Sequence, residues 1–408
     1  MQHAAPLVHP RLPRELALAG ATATLGVLYV LSTIPTPLYP IYEQRFHFSE
    51  LVVTEIYGSY VCGNLAVLFV LGRVSDQIGR RPATLIAFGF AVAAALFFLG
   101  ARSAGWLFAA RALSGFSAGL GAGTLTAWIA ELEPHFDRVR AATVASAGNL
   151  GGLAAGSLAG GLLARAAPWP LRTSYVVCLG LIGLAMAVVS ATPETVEHPV
   201  RRWRDLSLYP RIGVPKGLRL RFVAPASMAF ATFALGGFFG ALVPGLVTQR
   251  MHVSSVAVVG GVVGVFFGSA AVTAGFVPRT HARTALRCAT GLLFVGLVLL
   301  IVADAVRSVP VLLAATLAGG GAVAFGYRGS LQAVNEMAPP DRRAEMVSAY
   351  LLVCYTANAF PVVGVGLLGR AAGPQAAHVV FAALLAVFGL VALVVGSTER
   401  DGALVTRP

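Results

Sequence analysis

Twelve apolar runs, most of them about 20 residues long, alternate with short polar segments along this chain. A run of about 20 apolar residues can cross the hydrocarbon core of a bilayer as one helix. The pattern therefore predicts an all-α integral membrane protein with twelve transmembrane helices. The predicted helices are 16–37, 50–71, 83–101, 105–131, 141–164, 173–191, 222–247, 255–277, 285–303, 310–335, 345–369 and 376–397.

The basic residues are unevenly distributed between the two sets of loops. Loops on the side of the termini carry 21 arginine or lysine residues and loops on the opposite side carry 7, while Arg111 and Arg328 fall within predicted helices. Cytoplasmic loops of membrane proteins are enriched in Lys and Arg. We therefore expect both termini to be cytoplasmic, in a multi-pass protein of the plasma or inner membrane.

The chain repeats itself at an offset of 205 residues. The segment Gln44–Ser49 recurs as Gln249–Ser254, and the pattern Glu131-x-x-Pro-x-x-x-Arg138 recurs as Glu336-x-x-Pro-x-x-x-Arg343. Repeated halves of a transporter place the substrate site at their interface, near the middle of the membrane. We expect two pseudo-symmetric six-helix bundles, 1–191 and 222–408, joined by a cytoplasmic linker at 192–221.

Composition narrows the class of protein. Of the 408 residues, 57% are hydrophobic and 12% are charged, and the mean hydropathy is +0.78, which excludes a soluble globular protein. The net charge of +13 does not indicate nucleic-acid binding, because the basic residues lie in loops too short to form a DNA-binding module. The sequence shows no paired-carboxylate, metal-ligand or nucleophile pattern, so we expect no enzymatic activity, no cofactor and no metal.

The loop after the second apolar run reads Gly72-Arg-Val-Ser-Asp-Gln-Ile-Gly-Arg-Arg-Pro82. It resembles the signature between helices 2 and 3 of the major facilitator superfamily, G-x-x-x-D-x-x-G-R-R/K, at every defined position. The resemblance implies the twelve-helix fold of that superfamily and transport of a small molecule by alternating access.

The resemblance also implies a gate on the cytoplasmic side. Glu131 is expected to pair with Arg80, and Asp76 to sit at the N-terminus of helix 11, where a carboxylate is favoured. Such contacts would hold the two bundles together on the inside, although a simple surface salt bridge remains an alternative. The other residues of the predicted gate are Gly72, Arg73, Gly79, Arg81, Arg138, Glu336 and Arg343.

Two charged residues within helices are candidates for proton coupling. Arg111 lies in Leu107-x-x-x-Arg-x-x-Ser-Gly-x-Ser-Ala-Gly119, which resembles the helix 4 motif tied to proton coupling in drug exporters, with Ser114 in place of glutamine. Glu55 lies about two turns into helix 2, where desolvation would favour a bound proton. The alternatives are an arginine that extends to the outer surface and a carboxylate that outside water reaches.

Helix 5 contains four glycines, Gly152, Gly156, Gly160 and Gly161, at the spacing G-x-x-x-G-S-x-x-G-G. This resembles the antiporter motif of drug exporters, with serine where proline is expected. Small residues at four-residue spacing also allow close helix packing, so packing alone is the alternative.

A mixed aromatic and polar lining is expected for the substrate cavity. Arg328 would contact an anionic substrate group or extend inward to the membrane surface. The predicted cavity residues are Thr33, Tyr39, Phe233, Phe238, Tyr327, Arg328, Gln332, Tyr355 and Asn358. The expected function is proton-coupled export of small amphipathic drugs or metabolites. The alternatives are an importer or facilitator of a sugar or organic anion and, of another class, a membrane receptor or scaffold.

Overall fold

A computed structural model describes residues 12–72, 74–197, 199–200, 212–277 and 280–405, with the backbone alone for 397–405. Within these residues the chain is helical, and each predicted apolar run coincides with one long helix. The twelve long helices are α1 (Arg14–Thr33), α2 (Glu50–Leu71), α3 (Arg80–Leu99), α4 (Ala104–Leu132), α5 (Arg138–Ala166), α6 (Pro170–Ala191), α7 (Arg219–Ala241), α8 (Val256–Phe276), α9 (Ala282–Val306), α10 (Val309–Met337), α11 (Arg343–Ala372) and α12 (Pro374–Val405).

Ten segments of the described chain are helices both long enough and apolar enough to cross a membrane. The two long helices outside that set are α4 and α5, which have 29 residues each. Both are longer than a bilayer requires, but they contain more glycine and polar residues than a typical lipid-facing helix. Such a composition is typical of helices that pack closely against other helices. The all-α membrane fold expected from the sequence is confirmed.

Proline interrupts the C-terminal ends of α1 and α7, which the distribution of basic residues assigns to the outer side of the membrane. After α1 the chain forms a 3₁₀ turn, Thr36–Leu38, and a short helix, Tyr39–Phe46. After α7 it forms the short helix Val243–Gly245 and a π-helical turn, Leu246–Arg250. Both extensions end in a histidine with left-handed backbone, His47 and His252, each at φ 54°. These histidines are equivalent in the sequence repeat, so the repeat extends to backbone conformation.

The N-terminal helices α1–α6 meet the C-terminal helices α7–α12 along two helix pairs, α5 with α8 and α2 with α11. At the first pair, a Cβ on Gly260 would lie 2.5 Å from the carbonyl oxygen of Ser157 and 2.9 Å from the Cα of Gly161. At the second, a Cβ on Gly366 would lie 2.6 Å from the hydroxyl of Thr54. A larger residue would clash at either place; α5 and α8 touch through their backbones, whereas the backbone of α11 at Gly366 meets the Thr54 side chain of α2.

Hydrogen bonds between the halves also lie towards the outer ends of the helices. The Thr36 hydroxyl donates to the carbonyl of Gly240 at 3.1 Å, and the Tyr57 hydroxyl donates to Oδ1 of Asn358 at 3.3 Å. Among the hydrogen bonds and ion pairs described between the two halves, none joins their inner, arginine-rich ends. We call this arrangement outward-closed.

Within the N-terminal half, the glycines of α5 contact α1. A Cβ on Gly160 would lie 2.6 Å from the carbonyl oxygen of Ile34, and Gly152 and Gly156 lie equally close to the backbone of Gly26 and Val30. The fourth glycine, Gly161, contacts α8 instead. The glycines of α5 therefore allow close packing both against α1 of the same half and against α8 of the other half.

Replacing Gly260 by alanine tests the backbone contact between the halves. The added methyl meets the Ser157 carbonyl and should destabilise the outward-closed form by about 1–3 kcal/mol, as overpacking does. We expect a lower midpoint of thermal unfolding for the purified protein. Gly261→Ala is the matched control, because nothing lies within 4 Å of a Cβ there. Equal effects of the two substitutions would contradict this account.

Candidate functional site

A buried arginine organises the inner end of the N-terminal half. The side chain of Arg80 is 9% exposed, and its Nη2 lies 2.6 Å from Oε1 of Glu131. Its Nη1 donates to the Ser75 hydroxyl at 2.8 Å and to the carboxylate of Asp76. The guanidinium thus bridges the loop, α3 and the end of α4, in bonds strengthened by charge.

The segment that follows α6 completes this network. Both carboxylate oxygens of Glu194 accept backbone N–H groups at the start of α3, from Arg80 and Arg81 at 2.9 Å each. A carboxylate stabilises a helix N-terminus by charge and by hydrogen bonding. Gly79 has φ +105°, and a Cβ there would meet Glu194 at 2.8 Å, so glycine is required. Sequence reasoning missed Glu194, although an acidic residue directly after helix 6 was a usable signal.

The predicted gate residues are only partly brought together. Asp76 pairs with Arg80 in its own half, and its side chain is 55% exposed, so it does not occupy the N-terminus of α11. Glu336 accepts a hydrogen bond from Gln332 at 2.7 Å. Arg138 and Arg343 are exposed at the starts of α5 and α11, Gly72 ends α2, and Arg73 lies outside the described residues. In the outward-closed form, the pairs of Arg80 all lie within the N-terminal half.

A second carboxylate near this network was missed from the sequence. The Glu133 side chain is fully buried between α4 and α5, where it accepts the N–H groups of His135 at 2.9 Å and Asp137 at 2.7 Å and pairs with Arg140 at 3.0 Å. Burial raises the pKa of Glu133, whereas the two N–H groups and the Arg140 guanidinium lower it. The lowering effects together are larger, so the pKa of Glu133 lies below its ordinary value.

This lowered pKa makes a prediction about stability and pH. Because the folded pKa lies below the unfolded value of about 4.3, Glu133 stabilises the protein above that pH and loses the contribution as pH falls through the folded pKa. Glu133→Gln should therefore lower the thermal unfolding midpoint at pH 7 more than at pH 4. Asp341→Asn serves as control, since the Asp341 side chain is 77% exposed. A deficit of equal size at both pH values would exclude ionisation as the cause.

Arg111 is fully buried between α4, α1 and α2. Its Nε donates to the Tyr39 hydroxyl at 2.7 Å, and its Nη1 donates to the Ser32 carbonyl at 2.6 Å. The guanidinium carbon also lies 5.3, 5.8 and 5.7 Å from the ring centroids of Tyr39, Tyr57 and Tyr60, within range of cation–π attraction. Its Nη2 has no hydrogen-bond partner among the described residues. Arg111 therefore does not extend to the outer surface.

Glu55 and Arg111 are not brought together. Glu55 is exposed on α2, and no hydrogen bond or ion pair between it and another described residue is present. This matches the alternative of a carboxylate near the outer end that water reaches. Among the described residues, the aromatic rings within cation–π range of Arg111 all belong to tyrosines.

The two halves face each other at mid-membrane through a set of polar and aromatic side chains. Tyr29 lies close to Asn149 and within electrostatic range of Tyr60, Tyr327 and Tyr355, and Asn64 lies close to Tyr60 and Tyr355. We call this set the tyrosine cluster: Tyr29, Tyr60, Asn64, Asn149, Tyr327 and Tyr355. It draws on α1, α2, α5, α10 and α11, so it combines both halves. Sequence reasoning missed Tyr29, Tyr60, Asn64 and Asn149, each an isolated polar residue in an apolar run.

The other predicted cavity residues are divided between the cluster and the packed interior. Phe233 lies edge-on to Tyr327 and Tyr355, with ring centroids 5.6 and 6.4 Å apart. Phe238 is instead fully buried inside the C-terminal half, stacked on Phe381. Thr33 is buried and donates to the Leu153 carbonyl at 2.7 Å, which joins α1 to α5.

The remaining four take other roles. Tyr39 packs on Arg111, and Asn358 joins α11 to α2 through Tyr57. Arg328 follows Tyr327 on α10 and is half-buried, and Gln332 lies one turn further towards the inner end.

Two helical halves, an interface closed at one end and a polar cluster near the middles of the helices are typical of a membrane transporter built from two repeats. The family model for the Major Facilitator Superfamily matches residues 21–360 of this chain. The chain belongs to the major facilitator superfamily.

The similar proteins agree on the family and differ in what they transport. An uncharacterized MFS-type transporter of Mycobacterium tuberculosis is 29% identical over 174 residues, which cover 42% of this chain and 29% of that protein. The human organic anion transporter MFSD10 has a TM-score of 0.66 at 18% identity, with 94% of this chain and 100% of that chain covered.

Two further solved structures share the fold. The nucleoside transporter NupG has a TM-score of 0.71 at 11% identity, covering 93% of this chain and 99% of that one. A bacterial homologue of the human lysosomal transporter Spinster, in an inward-facing and unoccupied conformation, has a TM-score of 0.68 at 14% identity, covering 94% and 97%. At these identities the likeness shows the fold alone.

Proposed function

We propose that this protein is a proton-coupled exporter of small amphipathic molecules that works by alternating access. The observation that carries the proposal is the tyrosine cluster, which both halves build at mid-membrane in the outward-closed form. Such a form takes up substrate from the inner side and releases it when the outer contacts open. The close contacts at Gly260 and Gly366 are then the contacts that each transport cycle breaks.

The cluster favours uncharged or anionic substrates with an aromatic or apolar body. Tyrosine rings supply apolar area, and their hydroxyls, with Asn64 and Asn149, supply hydrogen bonds. On the helices that form the interface, every acidic residue lies within about two turns of an end of the helix or of the short segment that extends it. These helices therefore place no carboxylate near their middles to select a cation. The nearest buried charge is the cation Arg111.

Arg111 is the residue through which the proposal links substrate to protons. A cation in a low-dielectric site raises the cost of other positive charge nearby and favours negative charge. Its contacts with Ser32 of α1 and with Tyr39 of the short helix after α1 connect it to movements of this part of the chain, and it also lies near Tyr60 of the cluster. In this proposal Glu55 exchanges protons with the outside, as its exposed place on α2 permits.

One observation favours a second candidate, an importer or facilitator of an organic anion. Arg328 is half-buried on α10 directly beside Tyr327 of the cluster. An arginine at that place suits a carboxylate or sulfonate on the substrate. A sugar would instead rely on the amide side chains of the cluster. The short loops offer no module for a receptor or scaffold partner, which ranks that class last.

Inside-out vesicles with an acidified lumen test the proposal. Cationic, neutral and anionic aromatic compounds are added while a fluorescent probe follows the proton gradient. We expect neutral or anionic compounds to dissipate the gradient, and Arg111→Ala to abolish the response. Arg165→Ala is the matched control, because Arg165 is exposed at the outer end of α5. Glu55→Gln should slow the response if that carboxylate delivers protons.

Two results would overturn the proposal. If no compound affects the gradient while a labelled anion equilibrates across the vesicles in an Arg328-dependent manner, the facilitator is correct. If Arg111→Ala and Arg165→Ala respond as the parent protein does, coupling does not pass through Arg111.

A further inference from the structure

The outer end of the C-terminal half contains a buried ionic cluster. Nδ1 of His378 on α12 lies 2.9 Å from Oδ2 of Asp304 on α9, and the other carboxylate oxygen accepts from Nε of Arg250 at 2.9 Å. The side chains of His378 and Asp304 are each 3% exposed, and that of Arg250 is 23% exposed. The ring of Phe238 covers the imidazole edge-on, at 5.3 Å between centroids.

Burial sets these two groups apart from the rest of the chain. His378 is the one buried histidine among those that the structure describes, and Asp304 and Glu133 are the buried acidic residues in the same range. Glu133 lies between helices at the inner end, whereas Asp304 lies in a membrane-spanning helix. Burying an ionisable pair costs free energy and marks a functional site by default.

The opposite half supplies further carboxylates to this place. Glu50, at the start of α2, lies against the C-terminal half, since a Cβ on Gly245 would be 2.9 Å from its Oε1. The Glu50 carboxylate is also close enough to His378 for their charges to interact. Beside it, Glu43 accepts a hydrogen bond from Gln249 at 3.4 Å. The imidazole therefore contacts a carboxylate of its own half and lies within electrostatic range of one of the other half.

The N-terminal half shows that the fold does not require such a cluster. At its outer end the Tyr42 and Tyr175 hydroxyls share a hydrogen bond at 3.2 Å, and Phe98 stacks on Tyr175 at 4.8 Å. In the 205-residue repeat, Leu99 and Thr173 stand where the C-terminal half has Asp304 and His378. Arg45 stands at the position of Arg250 in the repeat, but no carboxylate or histidine accompanies it among the described residues that line this place, so the buried pair of Asp304 and His378 needs another explanation than packing.

We propose that His378 is a pH-sensing site, and that its protonated form, paired with Asp304 and attracted by Glu50 of the opposite half, stabilises the outward-closed state. A proton on His378 adds one positive charge beside the Asp304 carboxylate, whose other oxygen accepts from Arg250, and the ionised form of Glu50 attracts that charge from the opposite half. When the halves separate at the outer ends, Glu50 moves away with α2 and the attraction for the proton falls. By linkage, proton binding then favours closure of the outer side to the same extent.

The other charged groups near α12 do not change the conclusion that a proton on His378 favours closure of the outer side. Helices α7, α9 and α11 pack against α12. Besides Asp304, the charged residues at their outer ends are Arg307 and Arg370, which are exposed and make no hydrogen bond or ion pair to His378 among the described residues. Both face water, where screening weakens their effect on a buried group.

The inference rests on the proposed alternating access, and it predicts a conformational response that needs no substrate. Full-length protein in lipid nanodiscs would carry spin labels at Ser103→Cys and Ala371→Cys, exposed outer positions in opposite halves. The exposed Cys62 and Cys288 would be replaced by serine beforehand. Pulsed electron paramagnetic resonance then measures the distance between the two labels from pH 8 to pH 5.

The expected result is a growing short-distance population as pH falls, with the pH response lost in His378→Gln. Glu50→Gln keeps the buried pair and should move the midpoint to lower pH by about one unit, because an opposite charge at this range is removed. His252→Asn is the matched control. That histidine is exposed at the same end, and asparagine tolerates its left-handed backbone.

A response that persists in His378→Gln, or that disappears in His252→Asn, would overturn the inference, as would a distance that does not change with pH in the parent protein. If the vesicle assay shows antiport while the distance ignores pH, His378 is not the pH-sensing site and the proposed function stands. A pH-dependent distance without antiport would reject the proposed function and leave the pH-sensing site.

Discussion

Backbone contact at glycine is the interaction on which the arrangement of this protein depends. Within a bilayer every backbone polar group is satisfied inside its own helix, so helices associate by close packing of small residues rather than by water exclusion. Gly260 against the backbone of Ser157 and Gly161 brings the two halves as close as their backbones allow. Because a backbone cannot change rotamer, such a contact is either complete or absent. This favours two discrete arrangements of the halves over a continuous range.

Around that interface, the ionic groups divide into those inside one half and those between the halves. Arg80, Glu131 and Glu194 fix the inner end of α3 within the N-terminal half. Glu50 lies across the boundary at the outer end. The first set stabilises a half in any state of the transporter, whereas the second contributes to one state only. The position of a charge relative to the interface therefore decides whether it shapes the fold or the cycle.

Much of the fold could be predicted from the sequence, because it depends on local pattern. Hydrophobic length gave the twelve helices, and the 205-residue repeat extends to the left-handed backbone at His47 and His252. The pairing of Arg80 with Glu131 also followed from motif and loop position. The tyrosine cluster could not be predicted, because Tyr29 and Asn149 gain meaning only when α1 and α5 pack together. The surroundings of Glu55 and Phe238 depend on which face of the helix each residue occupies. Helices that are hydrophobic all round give little indication of which face meets the interface.

Arg111 has a consequence for the way the membrane potential acts on this protein. The side chain is a fixed cation tied to α1 and, among the described residues, it has no carboxylate partner. When the cavity between the halves opens to the cytoplasm, the potential near Arg111 approaches that of the cytoplasm, and when it opens outward, that of the exterior. One full charge moved through the field corresponds to about 2.3 kcal/mol per 100 mV. In the proposed cycle, a negative interior therefore favours the inward-open arrangement of the empty transporter.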